Sequence, residues 1–322
     1  MTTFVTIKPH YCDLKYGEAV SDRIFYIKRY GIPKGLPVFS TAFTGFINSF
    51  RLPSDDTYFC EGPAELYPVY YSNKRANVVT TVKESTFWNM KHMSEIKRGF
   101  IVKLFSINHA LITDTKFMRN LIKSYIPEMP VGVCPPFCAQ PFFSIKPNLD
   151  SKSIVFIGSN DKNKGFLELI EAFKMLRSQD NEWNIYLLGN CSEMITEKMD
   201  GVHALGFVKD MKPYLSRCSL YVHPASFEVF GISVLEAMSA GLIPIVTRAT
   251  GASEVLENHG LRNMIINDNS PELIAKKLLD VYNHKKSAKV NMSRKCKKII
   301  RKEFLEKTNV KKFKRVFDGL AF

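Results

Sequence analysis

Signals that direct proteins out of the cell or into a membrane are missing from this sequence. Its first residues lack a basic stretch followed by a long apolar core, so we expect no signal peptide. No run approaches the roughly 18 uncharged apolar residues that a transmembrane helix needs. We therefore expect a cytoplasmic protein.

Paired cysteine motifs are missing as well. The seven cysteines are scattered, and the closest two, Cys134 and Cys138, do not by themselves make a zinc site. We expect free thiols, as in proteins of a reducing compartment. Internal repeats and low-complexity tracts are also absent from the sequence.

The composition that remains is typical of a globular protein. Hydrophobic residues make up 45% of the 322 residues and charged residues 24%, and this length suits two domains. Strand-like and helix-like segments alternate in both halves. We therefore predict an α/β protein with two doubly wound, Rossmann-like domains that face each other.

Positive charge is concentrated near the C-terminus. Residues 285–315 contain 14 Lys or Arg and two acidic residues, a net of +12 in a chain whose net charge is +14. Such a segment binds anionic lipid or nucleic acid, or is a solvated face. No nucleic-acid motif accompanies it, so we do not expect a nucleic-acid partner.

One stretch of the second half has an unusual pattern. Residues 220–224 and 242–246 are predicted strands, and between them Phe230, Val234, Leu235 and Met238 recur at helical spacing. Gly231 falls where this helix begins. A helix start presents backbone N–H groups and a positive dipole end, and glycine lets a ligand approach them.

Two glutamates flank that helix start. Glu228 lies in the loop at the carboxyl end of a predicted strand, and Glu236 lies inside the helix. Both can border one pocket at the strand ends, where open α/β sheets bind ligands. Two acids at an arbitrary spacing would more often be an unrelated surface residue and helix residue, but the surrounding pattern is more specific.

That pattern is Glu-x-Phe-Gly, then Glu-Ala-Met-x-Ala-Gly, an apolar strand and residues 250–255. It resembles the donor-binding half of glycosyltransferase family 4, whose members are retaining enzymes with the GT-B fold. The first and second glutamates of that family's E-x7-E motif match Glu228 and Glu236. The resemblance is strong over residues 154–282 and weak over the first half.

The resemblance extends to a phosphate-binding turn. The family pattern is Gly-Arg, four residues, then Lys-Gly, and here Gly158, Ser159, Lys164 and Gly165 occupy those positions after a predicted strand at 154–158. Lys164 matches the family's phosphate-binding lysine. Ser159 replaces its arginine, and Lys162 or Arg248 could supply the missing charge.

The resemblance also implies the remaining roles in donor binding. Glu236 would accept hydrogen bonds from ribose hydroxyls. Glu228 would accept them from the sugar and stabilise positive charge near the anomeric carbon, which makes Glu228 and Lys164 the catalytic candidates. The other donor-binding candidates are Phe230, Gly231, Ile232 and Ser233 at the helix start and Gly206, Phe207 and Val208 beside the nucleotide base.

The first half yields less specific predictions. Residues 4–7, 36–39, 58–60 and 78–82 are predicted strands, 10–17 a loop, and 20–30 a helix ending at Tyr30-Gly31. The resemblance makes Gly17 the glycine of a loop that closes on the donor. Glu61 and Lys83 stand where many family members carry a histidine, so they are acceptor-side candidates; the alternative is a pair of solvated loop charges.

Domain boundaries follow from turn-rich composition. Polar residues at 147–151 predict the hinge. We predict an acceptor-side domain at 1–148, a nucleotide-sugar domain at 149–300, and a basic helical tail at 301–322. In family members such a tail often crosses back to the first domain.

The resemblance implies a retaining glycosyltransferase that moves a sugar from a nucleotide-diphosphate sugar to a glycan or lipid-linked acceptor. It needs no cofactor, and no Asp-x-Asp is present to chelate a metal, so metal-independent transfer is predicted. The alternatives are an epimerase or phosphorylase of the same architecture, a non-catalytic basic binding protein, and an inactive relative.

The basic segment leads to one further expectation. Ile300, Phe304, Phe313 and Phe317 suggest a narrow apolar stripe beside a dense basic face. A helix of this kind lies on an anionic membrane surface, and peripheral binding at the inner face of a membrane would suit a lipid-linked acceptor. The alternative is that the stripe packs on the protein while the charges face water.

Overall fold

The computed structural model describes residues 1–7, 9, 11–28, 37–72 and 76–321. The chain divides into two compact units. The first unit comprises Met1–Pro136 and Glu306–Phe322, and the second comprises Phe137–Leu305. The predicted helix end at Tyr30-Gly31 and the first residue of the predicted strand at 36–39 lie outside the described residues.

Strands and helices alternate along most of the chain. The strands are β1 (Thr2–Thr6), β2 (Arg23–Tyr26), β3 (Thr57–Cys60), β4 (Asn77–Val82), β5 (Ala110–Thr113), β6 (Val131–Val133), β7 (Ser153–Ile157), β8 (Asn184–Leu188), β9 (Val202–Gly206), β10 (Leu220–His223), β11 (Ile243–Thr247) and β12 (Ile265–Ile266). The helices are α1 (Tyr11–Val20), α2 (Pro37–Ser49), α3 (Pro63–Ser72), α4 (Thr86–Asn89), α5 (Glu95–Phe105), α6 (Lys116–Tyr125), α7 (Phe166–Gln179), α8 (Lys212–Arg217), α9 (Ile232–Ala240), α10 (Ser253–Asn258), α11 (Pro271–Tyr282), α12 (Lys286–Glu303) and α13 (Glu306–Ala321).

The first unit is built on a parallel sheet with the order β2-β1-β3-β4-β5-β6. Central strands are buried on both faces, as in β3 and β5, and their continuous apolar runs reflect helices on either side. Phe4 stacks on Phe59 across neighbouring strands at 5.1 Å between ring centroids. Phe313 of α13 stacks on Tyr16 of α1 at 4.1 Å, so the last helix completes the core of this unit.

Three predictions for the first half are wrong. The predicted loop at 10–17 is largely α1, because Cys12, Tyr16 and Val20 recur at four-residue steps and are buried. The predicted helix that follows contains strand β2, which is a partly exposed edge strand. Residues 37–39 begin α2 instead of forming a strand, and proline is well tolerated at a first helical position.

The second unit repeats the architecture. Its parallel sheet has the order β12-β11-β10-β7-β8-β9, so the direction of winding reverses between β7 and β10. One apolar core runs through the unit and includes Phe156 of β7, Leu169 of α7 and Leu235 of α9. The prediction of an α/β fold with two doubly wound sheets is confirmed.

The division between the units lies earlier than the predicted hinge at 147–151. The units divide after Pro136, because Cys138, Phe142 and Ile145 are buried in the core of the second unit. Phe142 also donates its backbone N–H to Ser239 Oγ of α9 at 2.7 Å. The segment before the predicted hinge therefore packs with the second unit.

Two further observations concern composition. All seven cysteines are buried thiols. Within the described part of the chain, none of the helices combines the length and apolar character needed to cross a membrane.

Candidate functional site

The candidate site lies at the carboxyl ends of β7 and β10, where the winding of the second sheet reverses. The loop after β10 is tied to the turn after β7, because Ser226 donates its backbone N–H to Asn163 O at 2.8 Å. Gly165 has a positive φ of 69°, and a Cβ there would lie 1.9 Å from Pro224 O. Only glycine allows the two segments to approach this closely.

Lys164 and Glu228 meet at this edge of the sheet. Lys164 Nζ contacts Glu228 Oε2, and the two side chains are 24% and 15% exposed. The backbone of Glu228 is held on both sides: its N–H donates to Ala249 O at 3.0 Å, and its carbonyl accepts from Gly251 at 2.9 Å. The carboxylate therefore projects from a fixed backbone.

A buried chain of polar side chains continues from Glu228. His223 Nε2 lies 3.4 Å from Glu228 Oε2, and His223 Nδ1 lies 3.1 Å from the Tyr221 hydroxyl. That hydroxyl lies 2.8 Å from Ser233 Oγ in the first turn of α9. One arrangement satisfies every contact: Ser233 donates to Tyr221, Tyr221 to His223, and His223 to Glu228.

Sequence reasoning missed His223 and Tyr221, since it treated residues 220–224 as an apolar strand. The signal was present in the alternation of the strand. Residues 221 and 223 share one face of β10, and that face ends at the ligand-binding edge of the sheet. Both side chains are buried, at 0% and 1% exposure, so their polar atoms require partners.

The ionisation of Glu228 follows from these neighbours. Burial alone would raise its pKa, but the hydrogen bond from His223 and the contact with Lys164 lower the pKa of Glu228 to about 2. Glu228 is thus a carboxylate at neutral pH. Both contacts are made to the same carboxylate oxygen, Oε2.

Glu236 lies in a different environment. It is partly buried within α9, and burial raises its pKa to about 7. The pKa values of the two glutamates are therefore shifted in opposite directions, with Glu228 ionised at neutral pH and Glu236 titrating near neutrality. Such a separation between neighbouring acids is characteristic of functional sites.

The start of α9 opens on the same edge. Gly231 has a positive φ of 89° and precedes Ile232, the first residue of the helix. The first-turn N–H groups of a helix have no hydrogen-bond partner within the helix, so those around Ile232 and Ser233 can donate hydrogen bonds to an anion. Ala252 N–H donates to Phe230 O at 2.8 Å, and the buried Phe230 ring anchors this turn.

The remaining donor-side candidates lie on loops of the same sheet. Ser159 Oγ accepts from Asp161 N–H at 3.4 Å, so it supports the turn before Lys164. Gly206 ends β9, where its carbonyl accepts from Gly189 at 2.7 Å, and Phe207 beside it is 85% exposed. The other candidates of this group are Gly158, directly after β7, and Val208, which follows Phe207.

The two proposed substitutes for the missing arginine differ in their surroundings. Lys162 is exposed in the turn before Lys164. Arg248 is also exposed, and its guanidinium lies 3.9 Å from the Glu257 carboxylate.

Gly17 of the first unit does not lie in a loop, contrary to the prediction. It is buried within α1, and a Cβ there would lie 2.2 Å from the Phe4 ring. The glycine thus allows α1 to pack closely on β1. No donor-binding role follows from this position.

Glu61 and Lys83 follow β3 and β4 at the carboxyl edge of the first sheet. Glu61 accepts a hydrogen bond from Thr6 Oγ1 at 2.5 Å. Lys83 Nζ pairs with Asp13 and lies 4.6 Å from the Tyr16 ring centre. Burial alone would lower the pKa of Lys83, but Asp13 and Asp114 raise it.

Comparisons with known proteins now bear on this geometry. A family model described as glycosyl transferases group 1 matches residues 140–303, which contain every residue of the candidate site in the second unit. An uncharacterised glycosyltransferase of Methanocaldococcus jannaschii is 23% identical over 256 residues, covering 79% of this chain and 53% of that protein.

Two further similarities extend this comparison. The N,N'-diacetylbacillosaminyl-diphospho-undecaprenol alpha-1,3-N-acetylgalactosaminyltransferase of Campylobacter jejuni is 30% identical over 118 residues, 34% of this chain and 31% of that protein. The chain spans about half the length, or less, of the curated relatives that it matches. The crystal structure of Anabaena HepE with UDP and glucose has a TM-score of 0.75 over 98% of this chain and 99% of that one, at 15% identity, which indicates a shared fold.

Proposed function

The chain belongs to the group 1 glycosyl transferases, and from this premise we propose that it transfers a sugar from a nucleotide-diphosphate sugar to an acceptor hydroxyl. The observation that carries the proposal is the pairing of Lys164 with Glu228 beside the start of α9. It places a cation, a carboxylate and helix N–H groups at one edge of the sheet. A nucleotide sugar needs these three kinds of group.

The diphosphate would be held by Lys164 and by the N–H groups around Gly231, Ile232 and Ser233. Lys164 has three donors, so it can contact a phosphate oxygen while it remains on Glu228. Preorganised charges and dipoles stabilise the departing diphosphate better than water does, because they need no reorganisation during the reaction. Gly158, Ser159 and Gly165 would shape the turn around the phosphates.

Glu228 would act on the transferred sugar. Its ionised carboxylate accepts hydrogen bonds from sugar hydroxyls and stabilises positive charge at the anomeric carbon. His223 and Tyr221 do not reach the substrate in this scheme. They are positioning residues that hold Glu228 Oε2 and couple it to the first turn of α9.

Glu236 would bind the ribose, and the backbone at Gly206, Phe207 and Val208 would lie beside the base. An ionised Glu236 can accept hydrogen bonds from two neighbouring hydroxyls, whereas its protonated form accepts less well. Because the pKa of Glu236 is about 7, donor binding through this residue would depend on pH near neutrality.

The reaction is proposed to retain anomeric configuration, as in glycosyltransferase family 4. The bond between the anomeric carbon and the diphosphate oxygen breaks, and the acceptor oxygen bonds to the same face of that carbon. The acceptor proton passes to the departing phosphate oxygen, so no protein nucleophile is used. We propose that no metal ion or cofactor takes part.

The acceptor is proposed to be a glycan or a lipid-linked sugar, with Glu61 and Lys83 as acceptor-side groups. One relative from Campylobacter jejuni is named for transfer to a diphospho-undecaprenol-linked sugar. The basic residues of 285–315 would hold this protein on an anionic membrane surface at the cytoplasmic face. Such binding would bring the enzyme to an acceptor embedded in lipid.

Incubation with a panel of nucleotide sugars and acceptors, followed by release of free nucleoside diphosphate, tests the proposal. We expect release that depends on the acceptor and is nearly abolished in Glu228→Gln. A free, epimerised sugar nucleotide would instead favour an epimerase of this fold. No release with any donor, together with salt-sensitive binding to nucleic acid, would favour a non-catalytic basic binder.

A further inference from the structure

Five cationic side chains of α12 line a pocket in the second unit. The pocket has a volume of about 390 Å³. Its lining residues, which recur at three- and four-residue steps on one helix face, are Arg294, Lys297, Lys298, Arg301 and Lys302. We call this the α12 pocket.

Two of the five cations are fixed by the protein. Lys297 Nζ donates to the backbone carbonyls of Phe143 and Ile145, and burial with the charges of Arg301 and Lys146 lowers the pKa of Lys297. The Arg301 guanidinium lies over the Phe143 ring at 4.7 Å from its centre. Stacking of this kind orients a guanidinium while its N–H edge stays available.

The pocket carries no compensating acid. Within the part of the chain that the structure describes, Arg294, Lys298, Arg301 and Lys302 make no ion pair, and Glu303 on the same helix is engaged by His259 at 3.1 Å. Like charges at these helical spacings repel one another. Their concentration around a concavity is therefore unfavourable without a bound anion.

The α12 pocket is separate from the donor site. Lys297 lies against Gly241, where a Cβ would come within 2.6 Å of the Lys297 side chain, and Gly241 follows the last residue of α9. The donor site is at the other end of that helix. Nine residues separate the two ends, a rise of about 13 Å.

We propose that the α12 pocket binds the phosphomonoester headgroup of an anionic lipid. Arginine recognises phosphate through two parallel hydrogen bonds, and a dianionic phosphate balances more of this charge than a phosphodiester does. Clusters of four to eight cations on an amphipathic helix are typical of binding to anionic lipids. The proposal rests on the membrane binding proposed above and makes it specific for a headgroup.

Sedimentation of the full chain with three kinds of vesicle tests this. The vesicles contain phosphatidylcholine alone, phosphatidylcholine with phosphatidylglycerol, or phosphatidylcholine with phosphatidic acid, and the two anionic kinds are matched in surface charge. We expect tighter binding to phosphatidic acid, the only phosphomonoester. Equal binding to both anionic vesicles, or binding to neither, would overturn the proposal.

A matched pair of variants separates the pocket from diffuse charge. Arg294→Gln with Lys298→Gln removes one arginine and one lysine of the pocket, and binding to phosphatidic acid should weaken about 30-fold. Lys311→Gln with Arg315→Gln removes the same charge from exposed positions of α13, and the preference for phosphatidic acid should persist. Loss of the preference for phosphatidic acid to the same extent in the two double variants would refute a discrete pocket.

Two controls identify the source of the phosphate and distinguish failure of the pocket proposal from failure of the transferase proposal. If inorganic phosphate alone binds as tightly as the phosphatidic acid vesicles in calorimetry, the ligand is free phosphate and the lipid assignment is wrong. Nucleoside diphosphate release without vesicles should be unchanged in Arg294→Gln with Lys298→Gln. Absence of release in the parent chain would count against the proposed transferase, whereas the vesicle results would still decide the pocket.

Discussion

The carboxyl edges of the two sheets both carry a lysine paired with an acid, but their charge balance differs. In the first unit Lys83 pairs with Asp13, and the charge of Asp114 also raises the pKa of Lys83. Glu61 follows β3, the strand beside β4. In the second unit Lys164 and His223 share one oxygen of a single carboxylate.

This comparison separates what topology decides from what charge decides. A doubly wound sheet brings ligands to its carboxyl edge in either unit. Among the described residues of the first edge, Lys83 is under the influence of two acids, Asp13 and Asp114, and this balance would suit the hydroxyl-bearing acceptor proposed above. At the second edge Lys164 balances the ionised Glu228, and the N–H groups at the start of α9 add positive potential, which would suit the proposed diphosphate.

The largest effect is expected from loss of the Glu228 carboxylate at the carboxyl edge of the second sheet. Glu228→Gln should lower turnover by about 100- to 1,000-fold with little change in donor affinity, because its contacts strengthen as charge develops at the anomeric carbon. Glu236→Gln is the matched control and should chiefly weaken donor binding. Steady-state kinetics and donor titration measure both. Equal effects on turnover and affinity in the two variants would refute these assignments.

The second prediction concerns Lys164, the cation that pairs with Glu228 at the same edge. Lys164→Ala should cost about 2–4 kcal/mol of transition-state stabilisation, since it removes one preorganised charge from the leaving diphosphate. Lys174→Ala removes an exposed lysine from α7, outside the candidate site, and should change kcat/KM little. If both variants behave like the parent enzyme, Lys164 is only a solvated lysine at a helix start.

A pH titration sharpens the contrast between the two glutamates. The pKa of Glu236 is about 7, so the carboxylate proposed to accept hydrogen bonds from the ribose hydroxyls is lost as pH falls. Donor affinity should therefore rise by up to about tenfold from pH 6 to pH 8. Calorimetry with a nucleotide sugar measures this, because its phosphates do not titrate in that range. The dependence of donor affinity on pH should vanish in Glu236→Gln. An unchanged dependence in this variant would assign it to another group.

A smaller effect is expected from the buried chain behind Glu228. Tyr221→Phe removes the contacts to His223 and Ser233 and should reduce turnover about fivefold, the scale of one buried hydrogen bond. The KM for donor should stay nearly constant, because the residue only positions Glu228. Tyr186→Phe on β8 of the same sheet is the control. A fall in thermal stability without any loss of turnover would make Tyr221 purely structural.

The smallest expected effect is that of a chelator. The cations proposed to neutralise the diphosphate belong to the protein, so turnover in excess EDTA should equal turnover without it. Addition of Mg²⁺ or Mn²⁺ after chelation is the control. Complete loss of activity that either ion restores would contradict metal-independent transfer.

The sequence predicted the second unit well because its signals are local. The buried strand β7, the amphipathic helix α7 and the unit from β10 to β11 each show their own apolar periodicity. In the first unit, β2 is an edge strand with partly exposed residues, so its apolar spacing also fits a helix. Asp13 interrupts the buried stripe of α1, and its partner Lys83 lies 70 residues away.

By itself, the sequence determined the order of elements in the second unit, the glycine at the start of α9 and the spacing of Glu228 from Glu236, because neighbouring residues encode these features. Only the tertiary structure decided that Lys164 and His223 meet on one oxygen of Glu228 and that Tyr221 links His223 to Ser233. Lys164 lies 64 residues before Glu228. Pairing of β7 with β10 brings these distant positions to one edge, and no local pattern specifies which side chains then meet.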